Sequence, residues 1–408
     1  MNAALALGLL VHLARELASP REMANTDFTV FRTGWTLILN GRADRLYDAA
    51  AQATVQRGLL AEAGAGVFQG GLMAFLHPPH AALAGCGLGW MVVRWGLPAA
   101  FWLWTACSVA ALVALLRLVR DELRLDARAT ALAAVTLAAF YPVLETLQQG
   151  QVSAVLALAA VACARAVAAR RALAAAAWLL ALSIKPQTLP ALLVVLAARR
   201  EWRVLTWAAV LGVVAAVVTT LALGGHVWSD YLGALRGLER HFGGGTPEYM
   251  PTVRGFLTRL LGRGGQHRDV IDALALASWG AAIVAAALLA LRSRDVGDGR
   301  APLAFALAAG ALASPHLFPQ DVLLWVAPVT LVLAGARDAD PSAWRRQTRV
   351  VLAWPLWFVL ARVADLRPSP GPRLPLDLAL VPLVLATVWA ARDAASAQAP
   401  GGTSTAQV

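Results

Sequence analysis

Apolar runs alternate with short clusters of charge along almost the whole chain. A membrane span needs about 20 apolar residues. On that criterion the pattern predicts spans over residues 98–118, 129–147, 151–169, 204–223, 270–291, 302–314, 322–335, 350–364 and 374–391. Residues 1–17 form a shorter run without a basic start or a small-residue cleavage site, and read as a first, short transmembrane helix. One stretch breaks the pattern: "LALSIKPQTLP", residues 180–190, interrupts an apolar segment with a lysine and two prolines.

The arginines place the sides. Clusters occur at Arg117–Arg120–Arg124–Arg128, Arg165–Arg170–Arg171, Arg199–Arg200–Arg203, Arg292–Arg294–Arg300 and Arg337–Arg345–Arg346–Arg349. The positive-inside tendency puts all five in the cytoplasm. The connections around 148–151 and 314–320 carry no arginine and are expected outside. Both flanks of 171–199 are then cytoplasmic, so this segment is expected to be a hairpin broken at Lys185-Pro186. Its arms, about 12–13 residues each at about 1.5 Å per residue, barely cross a core of about 30 Å. The tip therefore lies below the external surface, in protein or in a watery cavity, because a broken backbone cannot face lipid. By the same count residues 78–95 lie in the external interface, a position suited to Trp90, Arg94 and Trp95.

The expected fold is an all-α polytopic membrane protein of about 12 transmembrane helices. It forms one domain over 1–396 with both termini inside, interfacial helices in a large first external loop (21–97), a second large external loop (224–269) and a disordered polar tail (397–408).

Composition agrees. Of 408 residues 59% are hydrophobic and 14% charged, with a mean hydropathy of +0.62; soluble domains carry about 25% charged residues. The net charge of +11 sits between apolar runs rather than on one basic face, which excludes a nucleic-acid partner. Cys86, Cys107 and Cys163 are far apart and form no CxxC, so no disulfide framework is expected. Lysine and arginine together number 35, and Lys185 is the single lysine. A charge near the bilayer centre costs roughly 2.5–3.5 kcal/mol. Lys185 therefore either snorkels to the external surface or faces an anion in a cavity.

Other polar residues gather in the external segments. In "NTDFTVFRTGWTLILNGRADRLYD", Phe28, Phe31, Trp35 and Ile38 fall near helical spacing. An amphipathic interfacial helix should therefore start near Asp27 and end at Gly41, with Tyr47 beyond. Asp27 suits an N-terminal carboxylate as well as a catalytic one. In "FLHPPH", Pro78 and Pro79 impose an extended lead-in, and His77 and His80 can contact phosphate or simply sit at the interface. Glu145, Gln148, Gln149 and Gln151 mark an external helix junction where amides can hold sugar hydroxyls or satisfy freed backbone. The second loop carries Arg236, Arg240, His241, Arg254 and Arg259, a solvated face or an anion site. "SPHLFPQD" brings His316, Gln320 and Asp321 to the external mouth, Asp321 as a helix cap or a site residue. No GxxxxGK[ST] or HExxH occurs, and Asp338-Ala339-Asp340 lies in a basic cytoplasmic loop, so neither metal nor cofactor is assigned.

Taken in order, "DFTVF", "G-x4-LYD", the double proline, "L-x6-W" at 97–104, "GQVS", "KPQ", "MPTVRG" and "SPHLFPQD" resemble the C-type glycosyltransferases of family 87, which are similar to mycobacterial polyprenyl-phosphate-mannose-dependent alpha-mannosyltransferases. The resemblance covers roughly 27–328. It departs from the pattern at His77, where an aromatic is usual, and at His316 and Gln320, where tyrosines are common. It implies the GT-C fold, a polyprenyl-phosphate sugar donor, a lipid or glycan acceptor, surrounding membrane lipids and an extracytoplasmic active site in the inner (plasma) membrane. It implies Asp27 as the base of an inverting displacement. Lys185 is expected at the donor phosphate, and Gln187, Gln151, His316, Asp321, Tyr47, His77 and Arg254 around the substrates. The rival reading of a mid-membrane charge on a broken hairpin is a secondary transporter or lipid flippase.

Overall fold

Aliphatic runs with few backbone breakers fold as helices, because in a nonpolar solvent each backbone N–H and C=O has to be paired within its own segment. The computed structural model describes residues 1–66, 72–241, 247–261, 267–294, 299–339 and 341–365, and among them it has only helices, turns and loops. The expected span at 374–391 and the tail at 397–408 lie outside the described residues.

The N-terminal part comprises α1 (Asn2–Glu16), α2 (Pro20–Ala24), α3 (Asp27–Leu39), α4 (Ala49–Glu62) and α5 (Pro79–Arg94). Helix α3 starts at Asp27, and Gly41, at φ +71°, follows its C-cap. It buries Phe28, Phe31 and Trp35 against α5 and the following helix. Gly89 of α5 leaves bare backbone under the Trp35 indole; a Cβ there would stand 2.8 Å from Cγ of that ring.

Next come α6 (Gly96–Glu122), α7 (Ala127–Ala138), α8 (Tyr141–Gln148), α9 (Ser153–Ala168), α10 (Ala172–Leu182), α11 (Pro190–Ala198) and α12 (Trp202–Leu223). The second loop contributes α13 (Val227–His241) and α14 (Val253–Leu261). Then follow α15 (Arg268–Arg292), α16 (Arg300–Ala313), a 3-10 turn (Pro319–Trp325) leading into α17 (Val326–Ala339), and α18 (Pro341–Asp365).

Among the described residues four helices are long and apolar enough to cross a membrane: Gly96–Glu122, Trp202–Leu223, Arg268–Arg292 and Pro319–Asp338. The pair α7 and α8, bent by 59°, makes a fifth if counted as one span. Among the described residues, several of the expected spans are therefore helices shorter than the hydrocarbon core. The physical reason lies in what surrounds the short ones. In α9, 12 of the 16 residues are buried in protein, so its length need not match the hydrocarbon thickness. Helix α12 is the opposite case: Val213 and Leu221 stand 62% and 82% exposed on an apolar outer face suited to lipid. The chain is a multi-pass membrane protein, with the long helices α12 and α15 largely exposed and α9 and α17 packed in protein.

The bundle has two distinct ends. At one end Glu122 of α6 pairs with Arg165 of α9 (3.4 Å) and Arg300 of α16 (3.2 Å). Arg300 also meets Asp338 of α17 (2.7 Å), and Arg199, after α11, donates to the Ser293 carbonyl at the end of α15 (3.1 Å). Helix α10 begins only a short turn after α9 ends here, and α11 returns here. The segment between them is therefore a hairpin, as the flanking arginines predict. Its arms pack mainly on other helices: α10 on α9 and α12, α11 on α15 and α16. Lys185, at its tip, lies at the other end of the bundle beside the start of α9.

Candidate active site

At that other end the sequence motifs converge on one polar knot. The turn between α8 and α9 starts it. Gly150 adopts φ +61°, where a Cβ would be strained and would stand 2.7 Å from Phe28 Cβ. The Gly150 carbonyl accepts from Trp104 Nε1 of α6 (2.7 Å), and the Gln149 carbonyl from the Phe28 N–H of α3 (2.9 Å). These bonds dock the start of α3 onto the turn and bring Gln151 to Asp27.

Asp27 lies in the first turn of α3, with Thr26 as the cap residue. Its carboxylate serves the knot rather than the cap. Oδ2 accepts from Gln151 Nε2 (2.5 Å) and from Gln320 Nε2 (3.4 Å). The side chain is half-buried. Burial raises its pKa above the ordinary 3.8, and the Gln151 hydrogen bond and the charge of Lys185 offset part of that rise.

Lys185 is neither snorkelling nor an open cation. It is 8% exposed, and its Nζ contacts Asp321 Oδ1 at 2.5 Å. Asp321, 1% exposed, also accepts from Ser153 Oγ (2.6 Å) through Oδ1 and from the Phe318 N–H (3.3 Å) through Oδ2. The carboxylate thus ties the start of α9, the hairpin tip and the 3-10 turn together.

Two histidines flank this pair. His77 stacks on Phe31 (4.6 Å between centroids), and its Nδ1 stands 3.5 Å from the Ile184 carbonyl. Its own carbonyl accepts from the Tyr47 hydroxyl (2.7 Å). His316 offers its carbonyl to Gln187 Nε2 (3.0 Å). Burial first, then the charge of Lys185, pushes both rings down to about 4, so both are neutral at neutral pH. Burial likewise raises Tyr47 well above its ordinary range. Arg254 is held by Asp272 (2.8 Å) and donates to the Pro315 carbonyl (3.4 Å), which fixes α14 over the loop carrying His316.

All nine expected site residues therefore fall in one connected region. They differ in kind. Asp27, Gln151, Lys185 and Asp321 meet through side chains, whereas Tyr47, Gln187 and Arg254 act on backbone carbonyls and shape the loops. Gln320, expected at the external mouth but not among the substrate residues, and Ser153, which the reading of the sequence did not single out, are direct members. Both lie inside motifs it quoted, "SPHLFPQD" and "GQVS", and a polar residue adjacent to a site residue in a tight turn is the signal that points to them. Buried Arg32, which pairs with Glu62 (3.3 Å) as Glu62 accepts from the Leu97 N–H (3.1 Å), was missed too; that clamp holds α3 to α4 and α6. Among the described residues no group of three or more His, Cys, Asp or Glu is placed to hold a metal ion.

No curated protein and no solved structure matches the chain. The model of glycosyltransferase family 87 matches residues 75–315. That region contains the hairpin tip and Gln151, whereas Asp27 lies before it and Asp321 after it. Because the match spans more than half of the chain, the chain belongs to glycosyltransferase family 87 and is a glycosyl-transferring enzyme of the membrane.

Proposed function

We propose that the chain moves a hexose, with mannose the first candidate, from a polyprenyl-phosphate donor to a lipid or glycan acceptor on the extracytoplasmic side of the plasma membrane, in a GT-C fold. The observation that carries this reading is the half-buried Asp27 carboxylate, held through one oxygen by two amides beside a buried lysine. The acceptor hydroxyl oxygen forms the new bond to the anomeric carbon as the bond from that carbon to the phosphate oxygen breaks. The hydroxyl proton goes to Asp27, and the phosphate leaves with the bonding electrons. A phosphate leaves without needing a proton, so one carboxylate suffices, and a single displacement inverts the anomeric centre. The Lys185 ammonium has three N–H donors. Asp321 engages it at 2.5 Å and fixes its position, and its other donors stabilise the departing phosphate.

Two further features support the reading. An apolar groove of about 210 Å³, lined by Leu9, Leu13, Leu112, Val143, Leu144 and Leu147, runs between α1, α6 and α8, a surface suited to a polyprenyl tail. The arginine-rich end of the bundle is opposite the knot, which the positive-inside tendency places outside.

The test uses the purified chain in lipid nanodiscs with a panel of polyprenyl-phosphate hexoses. Transfer by the wild-type protein and a loss of about 10²–10⁴-fold in Asp27→Asn, with donor binding retained, is the expected result. Wild-type turnover by Asp27→Asn removes Asp27 from the mechanism.

A further inference from the structure

Gln151 is only 7% exposed, and its two amide atoms have different fates. Nε2 is committed to Asp27 Oδ2 at 2.5 Å. Oε1 is buried and receives no hydrogen bond among the described residues. The amide cannot turn over to relieve this, because a carboxylate accepts hydrogen bonds and an oxygen against Oδ2 would be repelled. Gln320 also donates to Oδ2, so both amides act on the same carboxylate oxygen. Oδ1 is left for the proton of the attacking hydroxyl, and the amide that holds Oδ2 carries a buried carbonyl oxygen without a donor.

We propose that Asp27 and Gln151 together recognise two adjacent hydroxyls of the acceptor, so that the acceptor is a sugar or another vicinal diol and not a lone alcohol. This rests on Asp27 being the base. The first hydroxyl gives its proton to Asp27 Oδ1 as its oxygen bonds to the anomeric carbon. The second remains intact and donates its hydrogen to Gln151 Oε1. A buried polar atom with no partner is penalised, and a site built to bond a substrate hydroxyl rejects the analogue that lacks it. A lone alcohol would occupy the base and leave Oε1 unsatisfied. A vicinal diol satisfies both with one rigid unit, which also orients the attacking oxygen.

The experiment compares octyl mannoside, its monodeoxy analogues and octanol as acceptors for the purified chain in nanodiscs with a polyprenyl-phosphate hexose. The wild-type protein should use octyl mannoside with kcat/KM at least about tenfold above octanol and above one deoxy analogue. Gln151→Met should lose that factor on octyl mannoside and lose nothing further on the deoxy analogue. Gln151→Glu, whose protonated carboxyl both donates and accepts, should keep the discrimination. Calorimetric binding of octyl mannoside and of the deoxy analogue to wild type and Gln151→Met should give the same pattern even where turnover is too slow to follow. An equal loss by Gln151→Met on both acceptors would make Gln151 a support for Asp27 alone and overturn the proposal. So would octanol serving as well as octyl mannoside, or discrimination that follows deoxygenation of the donor sugar instead. Absence of transfer to every probe by the wild-type protein would sink the polyprenyl-phosphate reading itself, and this proposal with it.

Discussion

Asp27 holds its charge in a place that disfavours it, and this has a measurable consequence for stability. Its pKa is raised above 3.8 by burial. Between 3.8 and the raised value the folded chain keeps a proton that the unfolded chain has released. Stability therefore falls as pH rises through that window and stays lower at neutral pH. Asp27→Asn removes the penalty while an oxygen still accepts from both glutamines. The variant is expected to melt higher than wild type at neutral pH, with the difference vanishing below pH 3.8; an unchanged melting temperature at both pH values would contradict the shift. The acid limb of the wild-type rate profile should lie above 3.8 for the same reason. Lys185 makes the reverse case. Lys185→Met strands Asp321, 1% exposed, with only Ser153 and the Phe318 N–H for partners, and breaking a buried pair by removing one member costs about 3–5 kcal/mol. Lys185→Met/Asp321→Leu should recover most of that loss in thermal denaturation and none of the transfer activity. A double variant no more stable than the single one would mean that the pair is not the main source of the loss.

At the scale of elements, the turn joining α8 to α9 holds the knot together, and Gly150 is its weak point. A left-handed residue other than glycine costs about 1–2 kcal/mol, and here a Cβ would also press on Phe28 at 2.7 Å. Gly150→Ala should lower stability by about 1–3 kcal/mol. It should lower kcat by at least about tenfold, because Gln151 and Asp27 move apart together. Gly41, at φ +71° with nothing within 4 Å of a Cβ, is the control. Gly41→Ala carries the backbone strain without the clash and should leave kcat near wild type; similar losses in both would show that strain alone, not displacement of the knot, was measured. The same region separates what a sequence reveals from what it hides. The start of α3 at Asp27 follows from the helical spacing of Phe28, Phe31 and Trp35, and the hairpin follows from arginines on both of its flanks. The partner of Lys185 does not follow, since Asp321 is 136 positions away and no local pattern connects them. The boundary between spanning and protein-packed helices does not follow either, for a related reason. Alanine and leucine look alike whether protein or lipid surrounds them, so α9, buried in the bundle, reads the same as α12 on its surface.

The described bundle is polarised, with the Glu122–Arg165–Arg300–Asp338 cluster at one end and the knot at the other, and the proposed function requires a particular orientation in the bilayer. Arg171, before α10, and Arg200, after α11, are exposed at the basic end, while Arg42 is exposed in the loop after α3. If the hairpin is re-entrant, the two arms leave and return to one face, and the positive-inside tendency makes that face cytoplasmic. Cysteine labelling in intact and opened cells tests this directly. Cys107 is exposed and is replaced first; Cys163 is buried, and Cys86 is partly buried, with burial raising its thiol to about 11, which leaves it protonated and slow to react. A membrane-impermeant maleimide should label Arg42→Cys in intact cells, and should label Arg171→Cys and Arg200→Cys only after the membrane is opened. Labelling of Arg171→Cys and Arg200→Cys from opposite faces would make α10 and α11 one interrupted span. Lys185 would then lie within a crossing rather than at a tip open to the outside, and the donor phosphate would have to reach it through the bundle. Labelling of both from the same face leaves the tip beside Asp27 and Gln151 at the face opposite the basic end, as the proposed transfer from a lipid-linked sugar requires.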